Sequence, residues 1–246
     1  MKTKLHHYLI CTCLGSLACA QFEPAASQQT AQVLSSPEFP TYHSQASQDK
    51  FVFTLLYEIS GKQDQGYYLE IGAGDPIFGN NTYTLENQLA WHGVSIDIVD
   101  QFREKWLSAR RNPLLIQDAT HTNYAAMLQA FPRVIDYLSL DIDSHYDTVL
   151  NAIPFEAHVF KIITIEHDFY RYGDLYRISE RLILSSLGYH LLCPDVADMG
   201  GIIFEDWWIH PSAFDPSVFS KLTLLDLKGK RHKDLIDIIQ SSTCKK

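Results

Sequence analysis

The sequence predicts an α/β fold: a mostly parallel central sheet of about seven strands with helices on both faces. Short apolar runs of strand length alternate with amphipathic stretches of helical period from Tyr67 to Leu187. Strands that alternate with helices pair in parallel and are buried on both faces. A further observation concerns strand ends: Glu70, Asp97, Asp118, Asp141 and Glu166 stand in or beside the ends of successive predicted strands. In such sheets the carboxyl ends of the strands form the ligand-binding rim.

The elements follow in order. Lys2 and Lys4 precede the apolar run "YLICTCLGSLACA", and Ala18-Cys19-Ala20 has the small-x-small form of a signal-peptidase site. Residues 1–20 therefore read as a signal peptide, directing the chain to a secretory pathway or export; without a functional leader it would be cytoplasmic. The run is too short for a stable transmembrane anchor. Residues 21–42, rich in Gln, Ser, Ala and Pro, read as a flexible linker, and 43–246 as a single domain. Ser47 is placed to cap a helix over Gln48–Ile59, in which Phe51, Val52, Leu55, Leu56 and Ile59 share a face and Gly61 ends the run. "YYLEI", "GVSIDIV", "LLIQD", "DYLSLDI" and "FKIITIE" read as buried strands. Helices are predicted between them at Thr82–Trp91, Asn123–Phe131 and Asp147–Ile153, and a longer one at Asp174–Leu187. "YHLLC" and "GIIFEDWW" supply two more strands, and "HKDLIDIIQ" a last helix.

The formal net charge of −9, with no compensating Lys/Arg cluster, argues against a nucleic-acid partner. Of five cysteines, Cys11, Cys13 and Cys19 lie in the leader. Cys193 and Cys244 remain, which is neither a disulfide framework nor a zinc spacing.

The loop after the first strand reads Glu70-Ile-Gly72-Ala-Gly74-Asp-Pro. A dinucleotide fingerprint needs a third glycine three residues after the second, and Ile77 stands there. The lysine of a phosphate-gripping P-loop is missing too. What remains suits a cofactor with ribose hydroxyls and a cationic amino-acid moiety but no phosphates, which describes S-adenosylmethionine. Gly72 and Gly74 let the ligand approach the backbone. Asp97 can accept both ribose hydroxyls, and Glu70 can orient the loop or reach the methionine ammonium. Asp118, followed by Ala119, is placed to accept from an adenine amino group. Asn80 shapes the loop; Asn81 and Asp141 complete the candidate cofactor contacts.

"SQASQDKFV" (Ser44–Val52), "YYLEIGAGD", "NNTYTLE", "IDYLSLDIDSHYDTVLNAI" and "ITIEHD" together resemble the FkbM-like class I methyltransferases, in order over about Ser44–Tyr189. The resemblance implies a Rossmann-like domain that uses S-adenosylmethionine, typically for O-methylation of a small molecule or sugar. The family's D-V-E-G-H-E segment matches here at Asp141 and His145, with Asp143, Ser144 and Tyr146 replacing Glu, Gly and Glu. O-methylation needs a general base or a metal that lowers the acceptor's pKa. Asp141, His145 and His167 are the catalytic candidates; Asp141, Asp143 and Glu166 are candidate ligands for magnesium or manganese. "FEDWWIHP" (Phe204–Pro211) reads as an aromatic core strand or an acceptor wall, and "FYRYGDLYRISER" as an amphipathic helix or a pocket cover. A non-catalytic descendant of the fold, serving as a binding or interaction protein, is the alternative. Its support is the loss of Gly at Ser144 and of Glu at Tyr146.

Overall fold

The computed structural model describes residues 40–243. The expected signal peptide, most of the expected linker and Cys244 lie outside the described residues. Strands β1 (Tyr67–Ile71), β2 (His92–Asp97), β3 (Leu114–Ile116), β4 (Val134–Leu140), β5 (Val159–Glu166), β6 (His190–Ala197) and β7 (Ile203–Ile209) form one seven-stranded sheet in the order β3-β2-β1-β4-β5-β7-β6. The first five strands pair in parallel, and β7 runs antiparallel between β5 and β6. This is the mostly parallel, Rossmann-like architecture that the sequence predicts. The strand order reverses between β1 and β4, and in such sheets that point marks the ligand crevice.

The helices are α1 (Gln48–Phe53), α2 (Tyr83–Leu89), α3 (Arg103–Ala109), α4 (Tyr124–Met127), α5 (Tyr146–Ala152), α6 (Phe169–Tyr172), α7 (Asp174–Ser186), α8 (Pro216–Thr223) and α9 (His232–Thr243). The predicted first helix has its expected extent, but Thr54–Ile59 is a π-helix, its turns widened around Leu55, whose carbonyl accepts from Ser60 N at 3.1 Å. Ser47 does not cap it. Its φ is 65°, and its hydroxyl bonds His232 Nδ1 at 2.8 Å instead, which ties α1 to α9. Asn123–Phe131 contracts to the single turn α4. The predicted helix through Phe169–Arg181 breaks at Gly173, whose φ of 60° and ψ of −135° only glycine adopts readily. Thr41, read as linker, is fastened to α2: its N–H donates to Gln88 Oε1 at 2.9 Å, and its carbonyl accepts from Gln88 Nε2 at 2.8 Å.

Alternating strand residues feed two cores. Tyr68, Tyr137, Ile162, Trp207 and Ile209 pack on one face with α1, α8 and α9; Leu69, Ile71, Leu138, Ile163, Ile165 and Trp208 pack on the other with α5 and α7. This period-2 division decides which carboxylates at the rim meet. Cys193 is buried, with no disulfide partner among the described residues. Among the described residues, no helix is long and apolar enough to cross a membrane.

Candidate functional site

A cavity of about 210 Å³ opens at the carboxyl ends of β1 and β4. Glu70, Gly72, Gly74, Asn81 and Asp141 line it together with Gln45, so the structure assembles five of the candidate cofactor residues in one place. Gly72 has φ +87°, and a Cβ there would stand 1.6 Å from the Asp141 carbonyl oxygen. The loop can close over β4 only because that position has no side chain. Gly74 donates its N–H to Asp97 Oδ2 at 2.7 Å, and Val99 N–H donates to Oδ1 at 2.7 Å. Asp97 thus holds the glycine loop to the end of β2 and retains further lone pairs for a ligand.

The far wall is Gly79–Thr82. Asn80 Nδ2 donates to the Ala73 carbonyl at 2.9 Å, while its Oδ1 accepts from Tyr83 N at 2.7 Å and caps α2. This is the loop-shaping role read from the sequence. Asn81 Nδ2 donates to Ser139 Oγ at 2.9 Å, and its buried Oδ1 has no partner among the described residues. Ser44 bridges to Gly79, and Asp49 holds the Ser44 hydroxyl at 2.5 Å and the His43 N–H at 2.7 Å. This arrangement sets the "SQASQD" segment beside the glycine loop, with Gln45 against the cavity.

Arg110, which sequence reading missed, underpins the wall. Its buried guanidinium donates to Glu86 Oε2 at 2.7 Å, Asn80 Oδ1 at 2.9 Å, Thr82 Oγ1 at 2.7 Å and Tyr68 Oη at 2.9 Å. A lone Arg after a polar helix carries no motif that would have announced this role.

A row of carboxyl groups continues from the cavity across the sheet on the same face. Leu140 pairs with Ile165, so Asp141 and Glu166 follow in register, and Glu166 pairs with Glu205. Burial raises the Asp141 pKa against the lowering effect of its hydrogen bond with Glu166. Glu166 is pushed up to about 12 by burial and by that same bond. Glu205 is raised to about 8, chiefly by burial, although Gln48 Nε2 donates to it at 3.0 Å. Burial likewise raises Glu70, which accepts from Ser95 Oγ at 2.6 Å.

The elevated Glu205 gives a pH prediction. A raised carboxyl pKa means the folded state holds the proton more tightly, so its contribution is intact below the unfolded pKa and lost as pH rises towards about 8. Glu205→Gln, neutral at every pH, should therefore gain thermal stability relative to the native chain as pH goes from 6 to 9. Melting curves across that range check it; a constant difference contradicts it.

Several sequence candidates lie elsewhere. Asp118 turns its carboxylate back on its own loop, accepting from Thr120 N at 2.8 Å and Thr120 Oγ1 at 2.7 Å, and Ala119 packs in the α5-side core. Neither lines the cavity. His145 is exposed, at φ 62°, with Nδ1 2.8 Å from Ser144 Oγ. His167 is fully buried on the opposite face of the sheet, its Nε2 3.6 Å from Asp206 Oδ1, so the base role assigned to it is not met by its position. The expected metal set is not assembled either. The Asp143 side chain is 92% exposed and paired with Arg171 at 3.2 Å, while Asp141 and Glu166 stand beside each other at the ends of β4 and β5.

Among the described residues, the potential metal ligands that do converge are His167, Asp195 and Asp206. Arginine already supplies the positive charge there. Arg181 Nε meets Asp206 at 2.6 Å, and Arg177 and Arg181 each meet Asp195 at 2.7 Å. Burial alone would raise Asp206, but its two hydrogen bonds from Arg181, with His167 3.6 Å away, outweigh it and hold this carboxyl well below its usual range. The cluster fastens α7 to β7 and faces away from the cavity.

No protein-family model and no curated protein matches the chain. Solved structures are similar at the level of chain path. A hemolysin-designated protein from Streptococcus thermophilus is 11% identical, with a TM-score of 0.46, covering 84% of this chain and 76% of its own. Precorrin-6y C5,15-methyltransferase from Geobacter metallireducens is 16% identical, with a TM-score of 0.42, covering 65% and 86%. Aeropyrum pernix fibrillarin, with natively bound S-adenosyl-L-methionine, is 13% identical, with a TM-score of 0.40, covering 65% and 74%.

Proposed function

We propose that this chain is an S-adenosylmethionine-dependent methyltransferase acting on oxygen, with a small-molecule or sugar hydroxyl as acceptor. The observation that carries the reading is the cavity at the β1–β4 crevice, lined by the Gly72–Gly74 loop, which is tied to Asp97, and by Asn81, whose Oδ1 is unpartnered among the described residues. A donor with a cationic amino-acid end fits this chemistry. Asn81 Oδ1 and the carboxyl groups of Glu70 and Asp141 accept from an ammonium, Asp97 accepts from ribose hydroxyls, and Gly72 leaves the backbone bare for close approach. The donor supplies a methyl group on a positively charged sulfur. Ile77 in place of a third glycine disfavours a pyrophosphate-bearing ligand in the same loop.

Calorimetric titration of the purified chain with S-adenosylmethionine, and separately with NAD, tests the reading; no heat with the first would remove its basis. Asp97→Ala should weaken donor binding at least about tenfold, corresponding to ~1.4 kcal/mol. An unchanged Kd would show that Asp97 holds only the loop.

A further inference from the structure

We propose that the outer face of α7 is an interaction surface whose partner is a second copy of this chain, the two helices meeting antiparallel about a two-fold axis near Ile178. The inference goes beyond the proposed function and does not rest on it.

The helix is turned inside out. At about 100° per residue, Leu175, Ile178 and Leu182 fall within an arc of about 60°. All three are exposed, at 63%, 52% and 68%. The opposite side carries the charges. Glu180 is fully buried, Arg177 Nη1 meets Asp195 of β6 at 2.7 Å, and Arg181 Nε meets Asp206 of β7 at 2.6 Å. A surface helix ordinarily shows the reverse, with its apolar side in and its charges out. Here the ion pairs fix the rotation. Half a turn would bury the stripe, but it would leave Asp206, whose side chain is fully buried, without its cation. The stripe therefore cannot turn onto the sheet, and only another molecule can cover it.

A second copy fits this face by spacing and by charge. Positions i, i+3 and i+7 are those of a two-helix seam. In an antiparallel pair each Leu175 packs against the second copy's Leu182, and the two Ile178 side chains meet near the axis, so one surface serves both chains. Ser179, Ser185 and Ser186 border the stripe, with Asp174 at one end, where Arg177 already pairs with it. The two Asp174 carboxylates then lie about 13 Å apart along the helices, beyond the screening length of ~8 Å. Arg177 and Arg181, the cations of α7, are both engaged, so nothing on this face selects an anionic membrane or an acidic protein. The face meets its own copy without like-charge contact. A seam of three aliphatic side chains per chain covers less than the ~800 Å² per partner of a standard interface, so the association is weak and reversible.

Sedimentation equilibrium of the full chain, from micromolar to several hundred micromolar, should show a monomer–dimer equilibrium. Ile178→Asp brings two carboxylates together at the axis and should raise the dissociation constant at least about a hundredfold. Ile178 is half exposed, so the variant should melt close to the native chain; if it does not fold, Leu182→Asp replaces it. Leu224→Asp, the same change at an 82% exposed leucine just after α8, should leave dimerisation unaltered. Leu175→Lys combined with Leu182→Glu sets opposite charges across an antiparallel seam. It should dimerise more strongly than either single variant, and the gain should shrink with added salt. A native chain that stays monomeric, an Ile178→Asp variant that dimerises as well as Leu224→Asp, or a double variant weaker than both singles would overturn the inference. So would a monomeric native chain that co-sediments with phosphatidylcholine vesicles, because a lipid surface would then be the occupant.

Discussion

Gly72→Ala should be among the most damaging single-methyl additions in this protein, lowering stability by about 3 kcal/mol or more and abolishing the cavity. The added carbon would sit 1.6 Å from the Asp141 carbonyl oxygen, a backbone atom that no rotamer change can move aside. Asp141 is also anchored there, its N–H donating to the Ile71 carbonyl at 2.8 Å, so relief requires separating β1 from β4 at the rim. The φ of +87° adds about 1 kcal/mol of strain for any L side chain. Gly74→Ala isolates that second cost, because its φ is +57° but nothing lies within 4 Å of the added carbon. Urea unfolding of the two variants should therefore separate them widely. Equal midpoints would mean that the β1–β4 contact yields easily, and that the cavity wall is soft.

The sequence carried the sheet and the glycine loop because both are local signals. "YYLEI" is β1 as observed, and the apolar runs of β4 and β5 were visible because strands buried on both faces are almost continuously apolar. What sequence could not carry was side. Glu166 and His167 are neighbours at one strand end, as are Glu205 and Asp206, yet successive residues point to opposite faces. One member of each pair joins the cavity row and the other joins Arg181 and α7. Of the five strand-end carboxylates, Glu70 and Asp141 line the cavity, Asp97 holds its glycine loop and Glu166 lies on the same face, while Asp118 does not line it. Asp118 illustrates a different limit: a carboxylate followed by Thr120 satisfies itself locally, a short-range competition that strand order does not reveal. Helix α3 passed unnoticed because Trp106 is its one buried residue, too little for an apolar period to register.

Arg110 holds the part of the site that no local signal announced, and Arg110→Ala is expected to cost about 3–5 kcal/mol. The Arg110 and Glu86 side chains are both 0% exposed, so removing the guanidinium leaves a carboxylate without its countercharge in the interior. It also removes one donor each from Asn80 Oδ1, Thr82 Oγ1 and Tyr68 Oη, which belong to the wall beside Asn81. Donor binding should fail together with stability. Arg110→Lys keeps the charge but offers no planar fork, so it should recover only part of the loss. The exposed pair Lys105–Asp75, at 2.5 Å, is the comparison: Lys105→Ala should cost less than about 1 kcal/mol despite its similar contact distance. If burial rather than contact distance sets the cost, Arg110→Met combined with Glu86→Gln will be more stable than Arg110→Met alone, because the second change removes the stranded charge. Denaturant midpoints for the single and double variants decide this. An additive double variant would mean that Arg110 acts through its bonds to Asn80, Thr82 and Tyr68 instead of through Glu86.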